Sequence, residues 1–257
     1  MEKVLISIVS HNSSDIFRTL DCLQREVGQD KRFEVVVYDN ASEESYREKL
    51  RKYQFIRLIE AAENLGFGHG HNQVLLKTSS KYAFICNPDI IVTKEVLTHM
   101  LTLIQRDKIA AVSPKVLNED GTTQHLVRHK LTVFDYFLRF VPFQFIKKLF
   151  DARLADYECR NLPDDRSSII TMGSGCFMLV EVDVFKQIQG YDERFFMYFE
   201  DNDFCLRLNQ TGNHILYSPF DTVIHLYGKG AHRSRKLFMV FMQSMAKFFN
   251  KWGWRWF

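Results

Sequence analysis

The sequence has no C-x-x-C pair and no acidic residue after Asp221, and nowhere a run of about eighteen apolar residues. Each absence removes a class of protein. Its five cysteines, Cys22, Cys86, Cys159, Cys176 and Cys205, are widely spaced and odd in number. That excludes a disulfide framework and a structural zinc site, and reduced cytoplasmic thiols are the expectation. The apolar stretch of MEKVLISIVSHN gives way to polar residues at Ser10, too early for a signal peptide, so neither export nor a membrane span is expected. Gly66, Gly68 and Gly70 approach the dinucleotide fingerprint G-x-G-x-x-G, but His71 stands at the place of its third glycine. No nucleic-acid module is visible, so no nucleic-acid partner is expected, and the oligomeric state stays open.

What the chain does have is material for a core. With 46% hydrophobic and 25% charged residues over 257 positions, it can bury one large domain, or a domain with a small appendage, and disorder is not indicated. Apolar runs predict strands over 3–10, 33–40, 56–61, 82–87 and 110–117, and helical spacing predicts helices over 15–27, 43–53, 70–79 and 94–107. This alternation over the first 117 residues implies an α/β fold, a mostly parallel sheet with helices on both faces. In such sheets ligands sit at the carboxyl ends of the strands.

Those ends are polar. The first strand closes on Ser10-His11-Asn12, the second on Asp39-Asn40, the third leads into ENLGFGHGHN, and the fourth closes on Asn87-Pro88-Asp89. One site built from four loops is therefore expected. An aspartate after a proline is by itself a turn former. Within a ring of polar strand ends it gains a second reading, as the single carboxylate anchoring Mg²⁺ or Mn²⁺ while substrate phosphates and water complete the shell.

The segments ISIVSHN, VVVYDNAS, ENLGFGHGHN, FICNPDIIV, GSGCFMLV and GYDERFFMYFEDNDFCLRL occur in this order between residue 3 and about residue 232. Together they resemble glycosyltransferase family 2, with a GT-A fold, and within it the bacterial rhamnosyltransferases. The resemblance implies a Rossmann-like GT-A domain over 1–232, with a nucleotide-sugar-binding half at 1–117 and an acceptor-binding, catalytic half at 118–232. It further implies a metal-dependent, inverting transferase that moves a sugar, L-rhamnose from dTDP-L-rhamnose, onto an acceptor hydroxyl. UDP-galactofuranose, UDP-glucose or UDP-galactose remain open as donors, and so does a catalytically silent nucleotide- or glycan-binding module.

The family's site residues carry over position by position. Asn87-Pro88-Asp89 stands in place of the D-x-D metal motif, which leaves Asp89 as the metal ligand, with His225 matching a late histidine that completes the site. Asp39 matches the acceptor of a hydrogen bond from the pyrimidine N3, with Asn40 beside it and Ser10, His11 and Asn12 against the nucleoside. A plain Asx turn at Asp39-Asn40 is the alternative. Asn64, Gly66, Phe67, Gly68 and Asn72 match the loop beside base and donor sugar, Gly173, Ser174 and Gly175 match the stretch against that sugar, and Lys229, His232 and Arg233 match phosphate contacts. Glu200-Asp201 matches the family's E-D pair, with Asp201 as general base and with Glu200 and Asp203 positioning the acceptor or holding the helix start. Carboxylates at a helix N-terminus are also what capping and the helix dipole favour.

Two segments fall outside this scheme. The last 25 residues, 233–257, mix Lys and Arg with Phe, Met and Trp, as an amphipathic helix lying in an anionic membrane surface requires. A core-packing terminal helix is the alternative. Residues 131–168 are aromatic and basic before Asp151 and polar after it, which fits an insertion facing a lipid carrier or packing beneath the C-terminal helices. The expectation is a peripheral protein on the cytoplasmic face of a bacterial membrane, acting on a lipid-linked glycan of O-antigen or capsule assembly.

Overall fold

The structure is a computed structural model that describes residues 3–226 and 235–257. Strands β1 (Val4–Ser10), β2 (Phe33–Asp39), β3 (Ile56–Glu60) and β4 (Tyr82–Cys86) run parallel in the order β3-β2-β1-β4. Helices α1 (Ile16–Val27), α2 (Glu44–Leu50) and α3 (Phe67–Leu75) connect them. The second half begins with β5 (Ile90–Ile91), α4 (Lys94–Leu103), β6 (Ile109–Leu117) and β7 (Thr123–Gln124). Three short helices follow, α5 (Val133–Phe140), α6 (Gln144–Leu149) and α7 (Asp151–Tyr157). The chain then forms β8 (Ser168–Ile170), β9 (Phe177–Glu181), α8 (Val182–Gln187), α9 (Glu200–Gln210), β10 (His214–His225) and α10 (Arg235–Trp252). Strand β9 enters antiparallel between β4 and β6, and β10 lies parallel to β6 and antiparallel to β5.

The apolar runs are continuous because the strands are covered on both faces. Val4, Ile6 and Ile8 of β1 pack with α1, α2 and α4 on one side. Leu5 and Val9 join α3, α8, α9 and α10 on the other, the period of two that a strand imposes. All five cysteines are free.

Helix α3 starts at Phe67, three residues earlier than the spacing predicts, because Gly66 turns the chain at φ 99. A Cβ there would lie 2.2 Å from the Phe196 carbonyl oxygen, so only glycine fits this approach. The next two glycines let α3 settle on its neighbours: a Cβ on Gly68 would meet Tyr191 Cβ at 2.8 Å, and one on Gly70 would meet Val9 Cγ2 at 2.7 Å.

Of the 233–257 segment the structure describes residues 235–257, and one side of its helix packs into the core. Helix α10 buries Phe241, Met245, Phe248 and Phe249 in the same cluster as α9. The chain end then crosses α5, where the Val133 and Phe134 N–H groups donate to the carbonyls of Arg255 and Trp256 at 2.9 and 3.2 Å. Tyr136 lies 5.4 Å from Phe241 and Phe140 5.4 Å from Phe238, so α5 packs beside the C-terminal helix, whereas α6 buries none of its residues. Among the described residues no helix is long and apolar enough to cross a membrane.

Candidate functional site

The polar strand ends meet at one edge of the sheet. Asn40 N–H donates to the Ser10 carbonyl at 2.8 Å, tying β1 to β2, and Asn87 N–H donates to the Cys176 carbonyl at 2.8 Å, tying the turn after β4 to the start of β9. Gly175 N–H donates to Asp201 Oδ2 at 3.1 Å. One backbone hydrogen bond, one residue step and one backbone-to-carboxylate hydrogen bond therefore join the N-P-D turn to the first turn of α9.

Asp39 is fully buried. Its Oδ2 accepts from Arg47 Nε at 2.6 Å and from the Ser42 N–H at 3.2 Å, while no hydrogen bond reaches its buried Oδ1. A buried carboxylate oxygen without a donor is costly, and an N–H from a bound ring would remove that cost. Ser10 is buried against the Tyr46 hydroxyl, His11 Nδ1 lies 2.8 Å from the Asn40 carbonyl oxygen, and Asn12 adopts φ 51 with its Oδ1 accepting from the Glu43 N–H at 3.0 Å.

Two expected ligand contacts are spoken for within the protein. Asn40 Nδ2 donates to the Gly66 carbonyl at 3.0 Å and its Oδ1 accepts from the Leu65 N–H at 3.2 Å, which fixes the glycine loop against β2. Asn72 Oδ1 accepts from the Tyr191 N–H at 2.8 Å, and its Nδ2 donates to the Tyr191 carbonyl and to Glu193 Oε1, both at 2.9 Å. Asn64 Oδ1 caps the Gly66 N–H at 3.1 Å. These three amides shape the loop from behind.

Of the two roles open to Asp203, its contacts favour holding the helix start. It is fully buried and turned toward α10, where it accepts from Arg207 Nε at 2.7 Å, Lys251 Nζ at 2.6 Å and Trp252 Nε1 at 2.9 Å.

Glu200 and Asp201 keep a chemical role open. Burial, and next the charge of Asp201, push the Glu200 carboxyl well above the usual range. Burial also raises Asp201, against the N–H groups of Gly175 and Asn202 that hold its charged form. As a residue Asp201 is part-exposed, whereas Glu200 is buried. A Cβ on Gly175 would lie 3.2 Å from Asp201 Cβ and 3.4 Å from Phe67 Cε1, so that glycine keeps the ground beside Asp201 clear. Gly173 is packed against Ser113 and Met178, and Ser174 lines a small cavity of about 70 Å³ with Gln124 and Tyr217. Immediately before α9, Tyr198 and Phe199 hold φ of 69 and 66, consecutive left-handed residues. Such strain costs about 1–3 kcal/mol each and collects at functional sites.

Asp89 and His225 face one another. Asp89 Oδ1 lies 3.2 Å from His225 Nε2, and the Leu226 N–H donates to the Asp89 carbonyl at 2.9 Å. Gln124, which nothing in the sequence singled out, sets the imidazole. Its Nε2 donates to Asn118 Oδ1 at 2.7 Å and to the His225 carbonyl at 3.0 Å, which leaves its Oε1 to accept from His225 Nδ1 at 3.0 Å. Nδ1 therefore carries a proton and Nε2 is turned toward the Asp89 carboxylate. An imidazole nitrogen and a carboxylate oxygen at that spacing are a donor pair that fits a divalent cation. Among the described residues no third His, Cys, Asp or Glu joins them. Lys229, His232 and Arg233 lie outside the described residues.

Solved structures that share this fold are GT-A glycosyltransferases. One is a mannosyltransferase of Pyrobaculum calidifontis in complex with GDP-Man and Mn²⁺, with TM-score 0.64 and 15% identity over 96% of this chain and 64% of that one. Another is GalNAc-T7 with UDP, GalNAc and Mn²⁺, with TM-score 0.65 and 17% identity over 88% of this chain and 44% of that one. The fold is GT-A. The model of glycosyl transferase family 2 matches residues 6–189, and the chain belongs to that family; its chemistry is glycosyl transfer. The rhamnosyltransferase WbbL of Escherichia coli K12 is 25% identical over 91% of this chain and 86% of its own. The N-acetylglucosaminyl-diphospho-decaprenol L-rhamnosyltransferase of Mycobacterium tuberculosis is 24% identical over 74% of this chain and 66% of its own.

Proposed function

We propose that the chain transfers L-rhamnose, with inversion, from dTDP-L-rhamnose to a lipid-linked saccharide in the assembly of a surface polysaccharide such as O-antigen or capsule. One observation carries the reading. Asp201, a carboxylate of raised proton affinity, is held by Gly175, and the next residue's carbonyl binds the turn that presents Asp89 to His225. The names of the two relatives support the sugar, and the mycobacterial name supports an acceptor on a lipid diphosphate.

Asp39 Oδ1 accepts the N3–H of the thymine ring, with Arg47 holding the carboxylate in place through Oδ2. The acceptor hydroxyl lies against Asp201, which takes its proton as the oxygen attacks the anomeric carbon. The new carbon–oxygen bond forms on the face opposite the diphosphate, and the old one breaks with its electron pair passing to the diphosphate oxygen. Glu200, held neutral by burial, keeps a second negative charge away from the base. Asp89 and His225 would hold Mg²⁺ or Mn²⁺, which when bound supplies charge stabilisation to the leaving diphosphate.

Donor-induced thermal shift tests this, comparing dTDP-rhamnose with UDP-sugars, with and without Mn²⁺, on the wild type and on Asp89→Ala. A ligand at a hundredfold excess over Kd stabilises the fold by about 2.7 kcal/mol. A metal-dependent shift with the dTDP donor that vanishes in Asp89→Ala is the expected result. A larger shift with a UDP-sugar would overturn the donor assignment, and no shift with any nucleotide sugar would overturn the whole reading.

A further inference from the structure

We propose that a single contiguous face, formed by α5, α6 and the chain end, docks on an anionic lipid bilayer. The proposal rests on the lipid-linked acceptor read above. It names the surface that meets the lipid, and helix α10 is not its main component, since one side of α10 is already in the core.

The first observation is exposure. Phe143, Phe145 and Leu149, on α6 and its approach, are 57%, 70% and 78% exposed, and Phe137, Trp256 and Phe257 are 59%, 62% and 79% exposed. Large apolar side chains open to water at such density mark a partner surface. The second is continuity between segments far apart in sequence. Phe134 stacks on Phe257 at 4.7 Å and lies 6.1 Å from Phe137, while Trp254 stacks on Trp256 at 5.4 Å and Phe143 lies 5.9 Å from Phe145. Phe134 also lies 5.3 Å from Phe150, at the end of α6, so the chain end and α5 are linked through one ring to α6.

The third is charge, which decides the occupant. A groove of about 720 Å³ between α5, α6 and α7 carries Arg139, Lys147 and Lys148. Both carboxylates on it, Asp151 and Glu158, are bound to Arg160 at 2.8 and 2.7 Å. The groove is thus cationic beside an aromatic rim, which is the chemistry of anionic headgroups over an acyl boundary. A second copy of the chain, meeting the face about a twofold axis, would set these cations against themselves.

The face also lies in the right place. Tyr136, buried on the core side of α5, packs on Phe199 at 5.0 Å, and Phe199 directly precedes Glu200 and Asp201. The core side of α5 is thus linked through Tyr136 and Phe199 to the helix that presents the base, which sets the docking face beside the acceptor end of the site.

Vesicle flotation of the full chain, without donor or acceptor, is the test. The wild type floats with vesicles rich in phosphatidylglycerol and not with pure phosphatidylcholine, and added salt releases it. Lys147→Gln with Lys148→Gln weakens binding about thirtyfold, taking each cation near an anionic surface as a factor of about five. Phe143→Ser, Phe145→Ser and Leu149→Ser together abolish it, with an unchanged melting temperature because these positions are exposed. Wild-type protein that stays unbound, binds both vesicle types alike, or is matched by both variants would overturn the proposal. So would a concentration-dependent dimer that the serine variant abolishes while vesicle binding persists. The nucleotide-sugar thermal shift is read on the same preparations: its absence with vesicle binding intact sinks the transferase reading and leaves the docking face supported.

Discussion

Replacing Asp203 with asparagine keeps the shape of the side chain and removes its charge from a buried cluster. Three donors converge on that carboxylate within 2.6–2.9 Å, and two of them, Arg207 and Lys251, are cations with side chains only 17% and 22% exposed. Breaking a buried ion cluster from one side costs about 3–5 kcal/mol when the remaining charges are left in a poor dielectric, though Lys251 keeps Asp192 at 2.7 Å. Partial access of Arg207 and Lys251 to water favours the lower end. A loss of about 3 kcal/mol lowers Tm by roughly 6–12 °C in a chain of this size. Urea denaturation and thermal melting measure it, repeated at high salt, which screens a buried cluster little. A double-mutant cycle with Lys251→Met should give a coupling above about 1 kcal/mol. A loss under about 1 kcal/mol, the worth of a surface pair, would refute the reasoning. So would full stability with lost transfer, which would return Asp203 to the chemistry.

Four further outcomes concern groups in and beside the site. His71 is fully buried with Nδ1 on Ser7 Oγ at 2.9 Å, and burial pushes its pKa down to about 3 from 6.5. The folded state therefore binds fewer protons than the unfolded one, so this stability is present above pH 6.5 and fades as pH falls toward 3. Between pH 7 and 5 it amounts to about 2 kcal/mol, measured by denaturation against His71→Gln, and an imidazole that titrates by NMR near its ordinary value would contradict it. Glu200 has the opposite sign: its raised folded pKa gives stability that is lost as pH rises, so Glu200→Gln gains on the wild type between pH 5 and 8 in the same melts. The transfer rate falls on the acid side as Asp201 takes up its proton, with a midpoint above the 3.8 of an ordinary aspartate. Gln124→Leu frees the His225 ring to rotate or change tautomer and weakens Mn²⁺ binding about 10–100-fold by calorimetry with donor present; unchanged affinity would remove Gln124 from the site.

The strands and the meeting of their ends were legible because a sheet covered on both faces writes itself as apolar runs, and the polar residues at the C-terminal ends of β1, β2 and β4 interrupt them abruptly. Gly66 was legible as a turn, but the packing reason for Gly68 and Gly70 lies in Tyr191 and Val9, far away in sequence. Asn40 and Asn72 read as ligand contacts, since a polar residue beside a site looks the same whether it faces the ligand or braces the loop. Only their hydrogen bonds to Gly66 and Tyr191 separate the two. Asp203 shares its sequence neighbourhood with Asp201, yet two residues on a helix is a turn of about 200°, so one points to the cleft and the other to α10. Gln124 sits on a two-residue strand with no motif, and its hold on His225 spans 101 positions. The C-terminal aromatics read as membrane-seeking throughout, whereas one side of α10 is spent on Phe199 and its neighbours.

The most direct measurement is sugar transfer by Asp201→Asn, with radiolabelled dTDP-rhamnose and a lipid-linked acceptor, alongside donor binding by thermal shift. Loss of a general base lowers the rate by about 10²–10⁴. The account predicts that fall with donor binding retained, since Asp39, Asp89 and His225 are untouched. Transfer at the wild-type rate would contradict it and remove Asp201 from the reaction.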